Sequence, residues 1–388
     1  MKVLHACFNM GYSDGLNYQE NCESKWHKRM GYDVVILSTE YCFEKGIWGK
    51  SSGLNDYWNK DGIHVIRLPY LFCVPYNMNR QLGFFKGTYR KLVDEKPDYI
   101  CIHNMQFQDI RAFIKYKKNY PNTKIFVDSH SDYSNSARNW LSRNILYRFW
   151  WKPCAKSIEP YAESFFGVMP SRVQFMINDL GISKDKCSVL VMGADDDAVI
   201  SAKKPECVSS VRRKFNISVE DFLIVTGGKI DKFKTQTLML MKAIQEIEDS
   251  RVKCLIFGSV DEDLKEDFLK LVDNNKIVYA GWVNGDESYA YFASADLVAF
   301  PGRHSVYWEQ VVGLGMPMLC KYWEGTTHVD LGGNVKFFNN DSINEYKNKI
   351  LNLYQNRADL DEMRRIAEEY GMKEFSYKML SKRAIGQF

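Results

Sequence analysis

Short runs of Val, Ile, Leu and Phe recur along the chain, each followed by a longer segment in which apolar residues return at helical spacing. In the first half the runs occupy residues 3–7, 33–38, 64–68, 99–103, 124–128, 166–169 and 188–192. Such runs are too short for helices and apolar at successive positions, so they predict strands of a parallel sheet covered on both faces, joined by crossover helices. Residues 15–30 form the first predicted helix, closed by Gly31, which tolerates the left-handed cap conformation. A charged, irregular stretch from about 195 to 221 breaks the rhythm. Alternation resumes with runs at 222–226, 253–257, 276–280, 296–300 and 317–321, with helical segments after the first four. The pattern therefore predicts an α/β chain of two doubly wound domains. Tandem domains of this kind are expected to bring the carboxyl ends of both sheets to a shared cleft, with the chemistry just after strands.

Composition sharpens this in three places. The 388 residues, 45% hydrophobic and 26% charged, suffice for two cores and exclude a disordered chain. A net charge of +4 is too small for a dedicated nucleic-acid binder, but it is uneven. Residues 1–195 carry 26 basic and 19 acidic groups, the remainder 26 and 29, which reads equally as a site for an anionic partner on the first half or as a chance excess on a solvated surface. The ten cysteines stand singly, without the spacing of a zinc site or a disulfide scaffold. Residues 3–8 are too short for a secretory h-region, and no run approaches the roughly 18 apolar residues of a membrane span. The expected location is cytoplasmic.

Several predicted strand ends carry candidate chemistry. After the first, Gly11 and Gly15 would allow close backbone approach to an anion at a helix start. The fifth ends Asp128-Ser129-His130, placing an imidazole where a ligand would bind, although a structural histidine bonded to neighbouring backbone would read alike. The first strand of the second half leads into Gly228-Lys229 and then Lys234, a pairing suited to neutralising a diphosphate, although solvated loop lysines would read alike. Residues 301–308 precede Glu309, a carboxylate in an otherwise apolar helix, where acceptance from a ribose diol would offset the cost of burial. Asp195-Asp196-Asp197 has the form of a metal-nucleotide DxD motif, but acidic triplets are common in loops. The aromatic stretch 41–85 is expected to cover a sheet edge, with an acceptor-lining role as the alternative.

Taken together, these pieces resemble the GT-B glycosyltransferases, specifically the retaining enzymes of glycosyltransferase family 4, over almost the whole chain. Gly31-Tyr32-Asp33-Val34-Val35-Ile36-Leu37-Ser38 is similar to that family's GHEVxVLT. Ser171 and Gly193-Ala194-Asp195 stand where the family has its Ser and its NGVD, which accounts for the acidic triplet without a metal. Gly228-Lys229 with Lys234 resembles GRxxxxKG, with Lys for Arg. Glu309 with Gly315-Met316-Pro317 resembles the second glutamate of E-x7-E and its GxP tail. The family's first glutamate is absent: Pro301 occupies its position, and His304 or Ser305 stands in the space.

The resemblance implies two Rossmann-like domains facing a central cleft. They are an acceptor-side domain over 1–195 and a nucleotide-sugar domain over 196–374, followed by a closing helix over 375–388 that crosses back. It implies that Lys229 and Lys234 hold a nucleotide diphosphate, that Glu309 binds the ribose, that His130 sits beside the transferred sugar, and that Gly11 approaches the phosphates; Gly228, His304 and Ser305 complete the set. The implied activity is metal-independent, retaining hexosyl transfer, with no cofactor beyond a UDP- or GDP-linked donor. The acceptor would be a glycan or lipid-linked molecule in cell-surface polysaccharide or glycoconjugate synthesis. A catalytically silent nucleotide-sugar-binding subunit is the alternative. Residues 138–152, with Arg138, Arg143 and Arg148 among Trp140, Leu141, Ile145 and Phe149, are expected either to pack within the first domain or to lie on an anionic membrane, at the inner face of the cell membrane.

Overall fold

The computed structural model describes residues 1–388 apart from 10, 45, 46, 134, 135, 138, 233 and 388, and apart from the side chains of residues 43, 44, 47, 48 and 50. Met10, Arg138 and Phe233, within motifs considered above, thus lie outside the described residues. Chain contacts divide the protein into a unit of residues 1–191 with 378–388, and a second unit of 192–377. The division falls after Val191 rather than Asp195, and the returning segment starts at Lys378.

The first unit contains β1 (Lys2–Cys7), β2 (Asp33–Thr39), β3 (Tyr41–Glu44), β4 (Ile47–Ser51), β5 (Asp56–Trp58), β6 (His64–Leu68), β7 (Tyr99–His103), β8 (Lys124–Ser129), β9 (Ser164–Gly167) and β10 (Cys187–Val189). Eight of these form one sheet in the order β10-β9-β8-β7-β1-β2-β6-β5. All pairings are parallel except β5 with β6. Leu4, Ala6, Ile100, Ile102, Ile125 and Val127 bury one face in the main core of the unit; Cys7, Val34, Ile36 and Val65 belong to a smaller cluster with Tyr12 and Ile63. The helix Gln19–Arg29 begins four residues later than expected, and Gly31 has φ +88°, the conformation inferred for it.

In the second unit, β11 (Phe222–Gly227), β12 (Val252–Phe257), β13 (Ile277–Tyr279), β14 (Leu297–Phe300), β15 (Met318–Lys321) and β16 (Val335–Phe338) make an all-parallel sheet ordered β13-β12-β11-β14-β15-β16. Each sheet reverses its direction of growth once, beside β1 and beside β11, and ligands of doubly wound folds bind outside the strand ends at such points. The loops after β1 and β7, and after β11 and β14, lie at these points, and the end of β8, which carries His130, is the next strand end beside β7.

Three expectations need correction. The stretch from about 195 to 221 is not irregular: it holds helices Asp196–Ala202 and Pro205–Lys214. The Asp195 side chain caps the first by accepting from Asp197 N–H, and the second has Pro205 and Glu206 at its start and Arg212, Arg213 and Lys214 at its end. These ends satisfy or complement the helix dipole, which substitutes for a strong apolar stripe. The run expected at 188–192 pairs only over Cys187–Val189, and that at 166–169 is shifted to Ser164–Gly167. The aromatic stretch folds into a β3–β4 hairpin, the edge strand β5 and the helix Tyr76–Leu82, so it does cover the β6 edge.

Candidate active site

The strongest anion-binding geometry lies after β11. Gly227 admits no side chain, because a Cβ would fall 2.3 Å from the Phe257 ring, and Gly228 takes φ +118°. The following turn is laid against the loop after β12: Gly228 N–H donates to Phe257 O (3.1 Å), Ile230 N–H to Ser259 O (2.8 Å) and Asp261 N–H to Ile230 O (2.9 Å). Lys234 N–H closes the turn on Asp231 O at 2.7 Å. The Lys234 amine then lies beside Gly228, 3.8 Å from where a Cβ would stand there. Burial lowers its pKa, and Arg303 and Lys229 lower it further against the opposing pull of Asp231. Lys229 is half exposed, at 57%, with its Nζ 3.1 Å from Asp261 Oδ1 and 3.7 Å from Asp231 Oδ2. A cavity borders Thr226, Gly227, Lys229, Lys234 and Thr237. The structure thus brings Gly228, Lys229 and Lys234 together.

The loop after β14 leads through buried Pro301 into the helix Tyr307–Gly313. Glu309 on that helix is 0% exposed. Its Oε1 accepts from His304 Nε2 and His328 Nε2, each at 2.8 Å, while Oε2 has no hydrogen-bond partner. Burial by itself would raise the carboxyl pKa, but the two imidazoles bring it down to about 2. His304 turns onto Glu309 and sets its edge against the Trp308 ring at 5.0 Å. Ser305 O accepts from Trp308 N–H at 3.0 Å, so its backbone starts the helix. The atoms of His304, Glu309 and His328 lie within 4.8 Å of one another, close enough to hold a cation, yet the 2.8 Å contacts have hydrogen-bond geometry. His328, in the turn Thr327–Val329, was not found by sequence reasoning.

In the first unit, His130 follows β8. Its N–H donates to Asn104 Oδ1 (2.9 Å), and its Nε2 is 3.6 Å from Asp128 Oδ1. Burial lowers its pKa to about 4, with Arg172 and His103 acting the same way against Asp128, so the imidazole is neutral at neutral pH. Asp128 also accepts from Asn104 N–H (3.1 Å) and from His103 Nδ1 (2.5 Å). Neither His103 nor Asn104 was singled out from sequence, although His103 and Asp128 are partners in register across β7 and β8.

Gly11 has φ +75°, and a Cβ there would meet Tyr41 O at 2.3 Å. Packing on Tyr41 therefore accounts for the glycine independently of any phosphate. Asp195 N–H donates to the Tyr289 hydroxyl (2.9 Å), and Ser376 Oγ donates to Asp196 Oδ1 (2.6 Å). The acidic triplet is built into helix capping and the Ala194–Ser376 bridge. Of the helix expected from 138 to 152, the segment Ser142–Trp151 is a π-helix that buries Tyr147 and Trp151. It packs within its unit, but with Trp140 (72%), Leu141 (61%), Ile145 (47%) and Phe149 (67%) exposed. Among the described residues no helix is long and apolar enough to cross a membrane.

No known family profile and no curated protein matches the sequence. Solved structures do match in shape. A glycosyltransferase from Rickettsia africae ESF-5 aligns with a TM-score of 0.70 at 14% identity, over 98% of this chain and 96% of that one. Anabaena Alr3699/HepE in complex with UDP aligns at 0.70 and 15% identity, over 99% and 98%. WaaG, a glycosyltransferase involved in lipopolysaccharide biosynthesis, aligns at 0.69 and 12% identity over 100% of both chains.

Proposed function

We propose that the protein, whose two Rossmann-like domains have the GT-B fold, is a retaining glycosyltransferase that moves a hexosyl group from a nucleotide sugar to a glycan or lipid-linked acceptor. The observation that carries this reading is the half-buried Lys234 amine, held beside Gly228 at the carboxyl end of β11 with its ammonium form disfavoured by partial burial. An anion arriving there would favour the ammonium form and offset the desolvation.

Lys234 and Lys229 take the diphosphate, with Lys229 exchanging Asp261 for a phosphate oxygen. Glu309, its Oε1 committed to two imidazoles, offers Oε2 to one ribose hydroxyl rather than both oxygens to the diol. HepE was crystallised with UDP, which favours UDP over GDP as the donor nucleotide. As the glycosidic C–O bond breaks, negative charge grows on the departing diphosphate, and ammonium groups already aimed there stabilise the transition state more than the ground state. The acceptor hydroxyl attacks from the face the leaving group vacates, its proton passing to a diphosphate oxygen, so configuration is retained. His130, neutral at neutral pH, hydrogen-bonds the sugar and does not compete as a cation for the diphosphate. No step calls for a metal.

Exposed Trp140, Leu141, Ile145 and Phe149, with Arg148 beside them, support contact with an anionic membrane, which would serve a lipid-linked acceptor at the inner face of the cell membrane. Buried Pro301 in place of the family's first glutamate is what favours the second reading, a silent donor-binding subunit.

The test begins with thermal stabilisation by UDP-, GDP- and ADP-linked sugars, since a ligand that binds only the folded form raises Tm. Turnover with the stabilising donor follows. Lys234→Ala should lower turnover at least about a hundredfold, as for removal of one transition-state donor. Near-normal turnover would remove the assigned role, and binding without turnover or donor hydrolysis would favour the silent subunit.

A further inference from the structure

Three of the seven histidines meet inside the first unit, on the sheet face covered by helix Gln19–Arg29 and helix Tyr377–Ala384. His27 Nε2 is 2.6 Å from Ser381 O, and His27 Nδ1 is 2.9 Å from His5 Nε2. His5 Nδ1 is 2.9 Å from His103 Nε2, and His103 Nδ1 is 2.5 Å from Asp128 Oδ2. His5, His27 and His103 are buried, and every ring nitrogen of the three has a partner.

The end groups fix the number of protons. A carbonyl only accepts, so His27 Nε2 carries a proton, and an ionised carboxylate only accepts, so His103 Nδ1 carries one. Each of the two nitrogen-to-nitrogen contacts between rings needs one proton more. Four protons on three imidazoles leave one positive charge wherever the inner protons sit. Coulomb attraction to Asp128 draws that charge to the near end. His103 is then the imidazolium, while His5 and His27 are neutral rings protonated at Nε2.

The surrounding groups agree. From the covering helix, Glu23 is pushed up to about 8 by burial and accepts from Gln19 Nε2 (2.6 Å), so it is uncharged at neutral pH; Glu20 is shifted upward too. From the strands, burial raises the Cys7 and Cys101 thiols, leaving Asp128 as the anion facing the chain. His103 itself is lifted to about 9: burial opposes the charge, but Asp128 outweighs it. His5 and His27 shift downward. Beyond Asp128 stands His130, with Arg172 nearby, and the returning helix presents the Ser381 carbonyl.

The geometry points to His27–His5–His103 as a singly charged imidazole chain, anchored by Ser381 O, that keeps Asp128 ionised and oriented and thereby positions His130. His103 is a positioning residue, acting through Asp128, and this part of the inference rests on the transferase reading. A carboxylate held from behind in this way fixes the ring it faces, as outer partners do for ligating histidines.

Two measurements separate the chain from the reaction. Imidazole nitrogen NMR on the isotopically labelled full chain at neutral pH should show His103 protonated on both nitrogens and His5 and His27 neutral with protons on Nε2. A neutral His103, or a neutral ring protonated at Nδ1 at His5 or His27, overturns the chain whether or not any sugar is transferred. With an active donor in hand, His103→Gln should lower kcat by about ten- to hundredfold at little change in donor KM. The wild-type rate should fall as pH rises through about 9, and the variant should lack that fall. An unchanged kcat and pH profile overturns the positioning role. His27→Gln keeps a donor for Ser381 O and an acceptor for His5, so nitrogen NMR of this variant should still find His103 charged; loss of that charge would overturn the chain.

Discussion

Glu309→Gln isolates one interaction with little change of volume. In the native protein the carboxyl is held at about 2 against an ordinary 4.5, although it is fully buried. The difference of about 2.5 units, at about 1.4 kcal/mol each, is about 3 kcal/mol favouring the folded state when the group is ionised in both states. Because the native pKa is depressed, this contribution is complete above the unfolded value and lost as pH falls from about 4.5 through about 2. Glutamine keeps an oxygen that His304 and His328 can share, but it removes the charge from both bonds and puts an amide N–H2 where Oε2 lacked a partner. Urea denaturation at neutral pH should find Glu309→Gln less stable by about 3 kcal/mol, a gap that narrows by about 2 kcal/mol at pH 3. The variant should also gain less Tm from UDP, since Oε2 is the proposed ribose acceptor. Equal stability at neutral pH, or a gap indifferent to pH, would refute the view that the two imidazoles hold a buried anion there.

Two further outcomes are expected. Gly11→Ala should destabilise the first unit by about 2–4 kcal/mol, combining a left-handed backbone with overlap on Tyr41 O, whereas Gly15→Ala, at the same φ of +75° with open space around it, should cost only about 1–2 kcal/mol; thermal melts compare the two. Wild-type protein should sediment with anionic vesicles at low salt and Trp140→Asp/Phe149→Asp should not, because both rings are exposed; failure of the wild type to sediment disposes of the membrane contact.

What could be read in advance follows the range of the physical signal. A strand buried on both faces announces itself within five or six residues, so β1, β2, β6, β7, β8, β11, β12, β14 and β15 were found to within a residue or two of their ends. Strand β16 escaped because Lys336 interrupts Val335, Phe337 and Phe338 at the sheet edge, where one side faces no further strand. Helix Pro205–Lys214 escaped because charges at its ends, rather than an apolar stripe, favour it. Strand order also explains the uneven recovery of the site. Lys229 and Lys234 are five residues apart on one loop, so proximity in sequence was enough. Glu309 was legible as a buried charge needing partners, but the partner His328 lies 19 residues further on, in a turn without periodicity. The histidine chain joins β1, β7, β8, the first helix and the last, with separations in sequence reaching 354 residues. One part of it was within reach: β7 and β8 were both expected, both as parallel strands, and aligning their ends sets His103 against Asp128. A polar residue at the end of an apolar run therefore gains meaning only when its neighbouring strand is known, and His103, unremarkable within its own run, becomes the charged end of a chain through that pairing.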